Sequence, residues 1–163
     1  MAALSIMGLN WCQHAGWMVV LYDGAQKRRL QITLRLEDAL TVGQELAGQH
    51  TAHSALYQLV GAVLKRQPHL ASVALSHSGR NRASTTVVVQ TDDGPLHYPT
   101  STAVGIALAL RAGLPIMADE ALMAMCGVVD EREPQGPHAL SEPTPIPRAF
   151  RLALVEPPDE DRD

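Results

Sequence analysis

Ser101-Thr102-Ala103-Val104-Gly105-Ile106-Ala107-Leu108-Ala109-Leu110-Arg111-Ala112-Gly113 reads as a helix with both ends marked. Ser101 or Thr102 supplies an oxygen to cap the first turn, and Gly113 suits the left-handed position that closes the last. Between them the residues are apolar nearly all round, so this helix belongs in the middle of a domain. Pro115-Ile116-Met117 then passes to a second, acid-capped helix from Asp119 to Cys126.

Upstream, the period changes. Leu4–Leu9 and Trp17–Tyr22 are rich in branched and aromatic residues and read as strands. After a turn at Asp23-Gly24, Leu30, Ile32 and Leu34 alternate with Gln31, Thr33 and Arg35, as in a half-buried strand. Lys27-Arg28-Arg29 falls in the hairpin loop on this reading. Two helices follow. The first carries Leu36, Ala39, Leu40, Gly43, Leu46 and Ala47 at helical spacing, with Glu37 and Asp38 complementing its N-terminal dipole. The second carries one apolar stripe of Leu56, Leu59, Val60, Val63 and Leu64, capped by Ser54 or Thr51 and closed by Lys65, Arg66 and Pro68. Strands return at Leu70–Ser76 and Ser84–Gln90, and a short one near Leu96–Tyr98. Strands and helices run in blocks, which predicts an α+β fold. Its sheet is mainly antiparallel, helices pack on it, and one buried helix is rich in Ala and Leu.

The 163 residues are 46% hydrophobic and 18% charged, enough apolar content for a real core. The formal charge of −4 divides unevenly: residues 1–126 stand at +1 and residues 127–163 at −5. Seven of the eleven prolines lie in the latter segment, which predicts a folded domain over 1–126 and an extended, acidic, Pro-rich tail over 127–163. An apolar island at 149–155 interrupts that tail and is expected to pack back as a short strand or turn. The near-neutral domain leaves phosphate binding open, while excluding a protein that coats nucleic acid by charge alone. Two cysteines, Cys12 and Cys126, exclude a disulfide scaffold and a four-cysteine zinc site. With no span-length apolar run and no visible signal peptide, a soluble cytoplasmic protein is expected. Trp11, Trp17 and Met18 suit either a dimer face or ordinary core.

Common cofactor and nucleophile motifs are absent. His50 and His53 lie three apart at a helix entry, but no third metal ligand is evident. Arg80-Asn81-Arg82 presents planar donor forks that suit phosphate. Asp38, Asp92, Asp93, Asp119 and Glu120 are the carboxylates available to a divalent cation, and each also has a capping or turn role.

Ile106 to Ile116, with its Ala-Leu-Ala-Leu-Arg core, resembles the signature of the bifunctional nuclease (BFN) domain family. Members read Arg-Pro-Ser-Asp-Ala-Ile-Ala-Leu-Ala-Leu-Arg, then a turn, Pro-Ile and an acidic helix start, matched here by Glu120. Leu30–Leu34 with Asp38-Ala39 is similar to the family's strand and helix start, and His53–Leu56 to its Thr-His-Asp-Leu segment. The resemblance covers roughly residues 4–123. It implies an α+β domain that commonly forms dimers and a nuclease acting on DNA and RNA. There are departures, among them Gln31 and Arg35 where the family has Pro and Gly, and Gly79-Arg80-Asn81 at its acidic-glycine hairpin. The family's Arg-Pro-Ser-Asp lands on Ser101-Thr102-Ala103-Val104, and its His-Asp pair on His53-Ser54. An alkyl group neither ligates a cation nor transfers a proton, so Val104 cannot stand in for an aspartate.

Two expectations follow. In the first, the protein is a nuclease assisted by Mg²⁺ or Mn²⁺. Asp38 and Glu120 hold the metal or position water, His53 is a general acid/base, and Arg80 and Arg82 clamp phosphate. In the second, Val104 and Ser54 mark a catalytically degenerate domain that acts as an oligomeric interaction or regulatory module. Its acidic tail then serves a protein partner.

Overall fold

A computed structural model describes residues 1–65, 71–79 and 82–129. The chain runs β1 (Ala2–Cys12), β2 (Gly16–Asp23), β3 (Arg28–Leu34), α1 (Leu36–Leu46), α2 (Ala52–Lys65), β4 (Ala71–His77), β5 (Ala83–Thr91), β6 (Gly94–Thr100), α3 (Thr102–Ala112), β7 (Ile116–Ala118), α4 (Glu120–Cys126) and β8 (Gly127–Val129). The eight strands form one sheet in the order β6-β5-β4-β7-β1-β2-β3-β8. Every pairing is antiparallel except β4 with β7. The fold is α+β with a mainly antiparallel sheet.

The Ala/Leu-rich helix is α3, and it is buried along most of its length. The Ser101 hydroxyl accepts the Val104 N–H at 3.2 Å, and Gly113 closes the helix at φ 65°. Small residues let α3 lie close on the sheet: a Cβ at Gly105 would stand 2.6 Å from the Thr85 methyl and 3.1 Å from Val73 Cγ1. Ile106, Ala109 and Ala112 enter the main core with Ala39 and Val42 of α1, Val19 and Leu21 of β2, Val73 and Leu75 of β4, and Leu122 and Met123 of α4.

Several expectations are corrected. Ile116–Ala118 is not a passage but a central strand between β4 and β1. Three residues are too few to display a period, and tertiary pairing makes the strand. Arg28 and Arg29 lie in β3, not in the hairpin loop. The Asp23 carboxylate accepts the N–H groups of Ala25 and Gln26 at 3.0 and 3.3 Å, which tightens the turn and releases both arginines to pair with β2. Four of the five members of the expected α2 stripe, Leu56, Leu59, Val60 and Val63, are exposed; Leu64 is half-buried against the core, and Ser54, Tyr57 and Gly61 face inward. Trp17 and Met18 are buried, and the half-buried Trp11 ring sits 5.3 Å from that of Trp17, so they are core. The sheet continues through β8, past residue 126. The α2 closing signals Arg66 and Pro68, and residues 130–163 with the island at 149–155, lie outside the described residues.

A cleft at the converging ends of five elements

Beyond Leu30, β3 has no strand partner on its outer side among the described residues, because β8 pairs only with Arg28–Leu30. A cleft of about 620 Å³ opens along that free edge. It gathers Thr33 of β3, Arg35 and Asp38 at the start of α1, Ser78 and Arg82 beside the β4–β5 turn, Thr102 at the start of α3, and Leu122 and Cys126 of α4. Its described lining mixes apolar residues such as Leu30, Ile32, Leu34 and Leu122 with the polar Arg35, Asp38, Arg82 and Thr102.

Each polar group is placed by local structure. Arg35 is the N-cap residue of α1 and Asp38 lies in that helix's first turn. The Ser78 N–H donates to the Arg82 carbonyl at 2.8 Å and the Arg82 N–H to the Gly79 carbonyl at 3.0 Å, so the turn brings Arg82 back to the cleft. The Thr102 hydroxyl lies 2.9 Å from that of Thr85, which anchors the entry of α3 to β5. Asp119 ties α4 to the same end of β4: its carboxylate accepts the His77 N–H at 3.1 Å and caps α4 through the Leu122 N–H at 2.6 Å.

The predicted site residues separate. Asp38 and Arg82, 44 residues apart in sequence, line the cleft together. Glu120 does not line it: the carboxylate lies 3.3 Å from the Arg28 guanidinium, which also reaches Asp23 at 3.2 Å. His53 is exposed on α2 and is not among the lining residues. Arg80 lies outside the described residues. Arg35 and Thr102 were not singled out. The signal for Arg35 is its place between a strand and the helix turn that carries Asp38.

Ser54 is a structural residue. The hydroxyl donates to the Glu45 carboxylate of α1, which also accepts from Arg111 Nε of α3. Arg111 Nη2 donates to the Gln49 carbonyl at 2.7 Å. Through Glu45 the cluster ties α1, α2 and α3 together. Burial first, and the Glu45 charge second, hold the neighbouring Tyr57 phenol above its usual pKa.

A hard divalent cation needs two or more oxygen ligands converging on one point. Among the described residues, Asp38 is the only carboxylate residue lining the cleft, and the Glu120 carboxylate is engaged by Arg28. No three His, Cys, Asp or Glu side chains come together among the described residues. The described donors of one chain do not make up an Mg²⁺ or Mn²⁺ site.

No helix among the described residues is long and apolar enough to cross a membrane. Residues 19–131 match the model of the bifunctional nuclease domain. No curated protein matches the chain.

Proposed function

The chain belongs to the bifunctional nuclease domain family, and from that premise we propose that its cleft engages the phosphodiester backbone of DNA or RNA. The observation that carries this reading is the meeting of Arg82, Arg35 and Asp38 in one cleft at the α3 entry, where the family's signature begins. Planar guanidinium forks match phosphate oxygens, and the cleft lies open along the β3 edge for an extended strand of phosphates. Asp38, the one acidic residue among the described residues of the cleft, is available to orient or deprotonate an attacking water during hydrolysis. Arg80 adds to the phosphate contacts on this reading. A cytoplasmic location, self-association as a homodimer and a protein partner for the acidic residues 127–163 complete it.

A second reading, a non-catalytic interaction or regulatory module, is favoured by the engagement of Glu120 with Arg28 and by Val104 at the helix entry. Incubation of the purified chain with single- and double-stranded DNA and RNA, with Mg²⁺ or Mn²⁺ added, separates the two. Cleavage that falls about 10²-fold or more in Asp38→Asn supports a hydrolase centred on Asp38. Retained binding with no cleavage under either metal supports the second reading.

One consequence concerns salt. Arg82→Ala removes one phosphate contact, so the slope of log affinity against log salt should become shallower by about 1. Fluorescence anisotropy of a labelled oligonucleotide across a salt series measures it.

A further inference from the structure

The outer face of α2 carries Leu56, Leu59, Val60 and Val63, which are 55%, 64%, 36% and 64% exposed. The edge strand β6 carries Leu96 at 46% and Tyr98 at 54% exposed. The two sets belong to one surface. A Cβ at Gly61 would stand 2.9 Å from that of Ala112, so Gly61 faces α3. Tyr57 clusters with Val87 of β5, so it faces the sheet. At about 100° per residue, the rotation from Gly61 through Tyr57 continues to Val60, Leu56 and Val63, turning away from α3 toward β6. The register sets Tyr98 opposite Val87 and Leu96 opposite Val89, so both lie on the helix-bearing face of the sheet.

The surface has no charge of its own. From Ala52 to Leu64, and throughout β6, there is no Asp, Glu, Lys or Arg. The exposed apolar residues amount to an area on the order of 600 Å² per chain, near the ~800 Å² per partner of a standard interface. A two-fold dimer places a patch against itself, and an uncharged apolar patch meets its own copy without like-charge contacts. Strand addition at β6 is suppressed. Pro95, His97 and Pro99 share one orientation in the ladder, and only His97 retains an N–H. The mate therefore docks through side chains and not by extending the sheet.

We propose that the α2–β6 face is the surface on which a second copy of this chain docks. The proposal deepens the self-association included in the function above by naming its surface.

The test is sedimentation equilibrium of the full chain and of Leu59→Glu/Val63→Glu at micromolar concentration. Both substituted side chains are mostly exposed in one chain, so circular dichroism should be unchanged. The wild type is expected at twice the 17.6 kDa chain mass. The double variant is expected to dissociate, its dimer Kd raised roughly 100-fold or more, because docking would bury unpaired carboxylates. If the double variant loses its folded spectrum, Leu56→Lys is read in the same way. A dimeric double variant overturns this surface and leaves self-association standing. A monomeric wild type overturns both, and turns attention to the island at 149–155 as the occupant. Neither result touches the cleft, which oligonucleotide binding tests separately.

Discussion

Arg111→Ala is expected to destabilise the domain by about 3–5 kcal/mol, the range for removing one partner of a buried ion pair. The Glu45 side chain is 2% exposed and that of Arg111 is 18%. Loss of the guanidinium leaves the buried carboxylate without its counter-charge, with the Ser54 hydroxyl still donating to it. The reciprocal change is milder. In Glu45→Ala the partly wet Arg111 regains some hydration and keeps the Gln49 carbonyl, so the expected loss is about 2–3 kcal/mol, the scale of a hydrogen bond to a charged group. Urea denaturation of both variants measures the difference. Equal losses under 1 kcal/mol would show that this cluster does not hold α1, α2 and α3 together.

The second large effect concerns the seat of α3. In Gly105→Leu the new side chain must displace Thr85 and Val73, both on central positions of β5 and β4. Thr85 is branched at Cβ, and turning its methyl away would break the contact of its hydroxyl with Thr102. Overpacking of this kind costs typically 1–3 kcal/mol, and the bulk of leucine places the variant at about 3 or beyond. Gly105→Ala meets the same methyl with one carbon but gains about 1 kcal/mol of helix propensity, so a net loss of about 1 is expected. Chemical denaturation again reads both values. An alanine variant more stable than the wild type would mean that α3 does not sit this close to β5.

The α3 segment was legible because every local signal agrees: an apolar surface all round, a Ser101 cap and a Gly113 terminator. The α2 misreading has a clear cause, since a periodic pattern shows that a face is apolar but not what it meets. The α2 stripe has proper helical spacing, yet the inward side is made by Ser54, Tyr57 and Gly61, which no hydrophobic count selects. At the site, Asp38 and Arg82 were legible as residues of suitable chemistry. Their meeting depends on the β4–β5 turn reaching the start of α1, which is a property of the tertiary fold and not of any short window. Capture of Glu120 by Arg28, 92 residues away, is equally invisible locally. The bonding of Ser54 to Glu45, nine residues earlier and on a different helix, is equally hidden in a local reading.

The most direct measurement for the cleft is the affinity of one labelled oligonucleotide for wild type, Arg82→Ala and Asp38→Asn at fixed salt. Both side chains line the cleft, so the effects should have opposite signs. Loss of the guanidinium should weaken binding about tenfold, equivalent to the 1.4 kcal/mol at the lower end of a charge-assisted hydrogen bond. Removal of the Asp38 charge should tighten binding, because a like charge beside the phosphate is gone. Equal affinity for all three proteins would contradict a phosphodiester in this cleft.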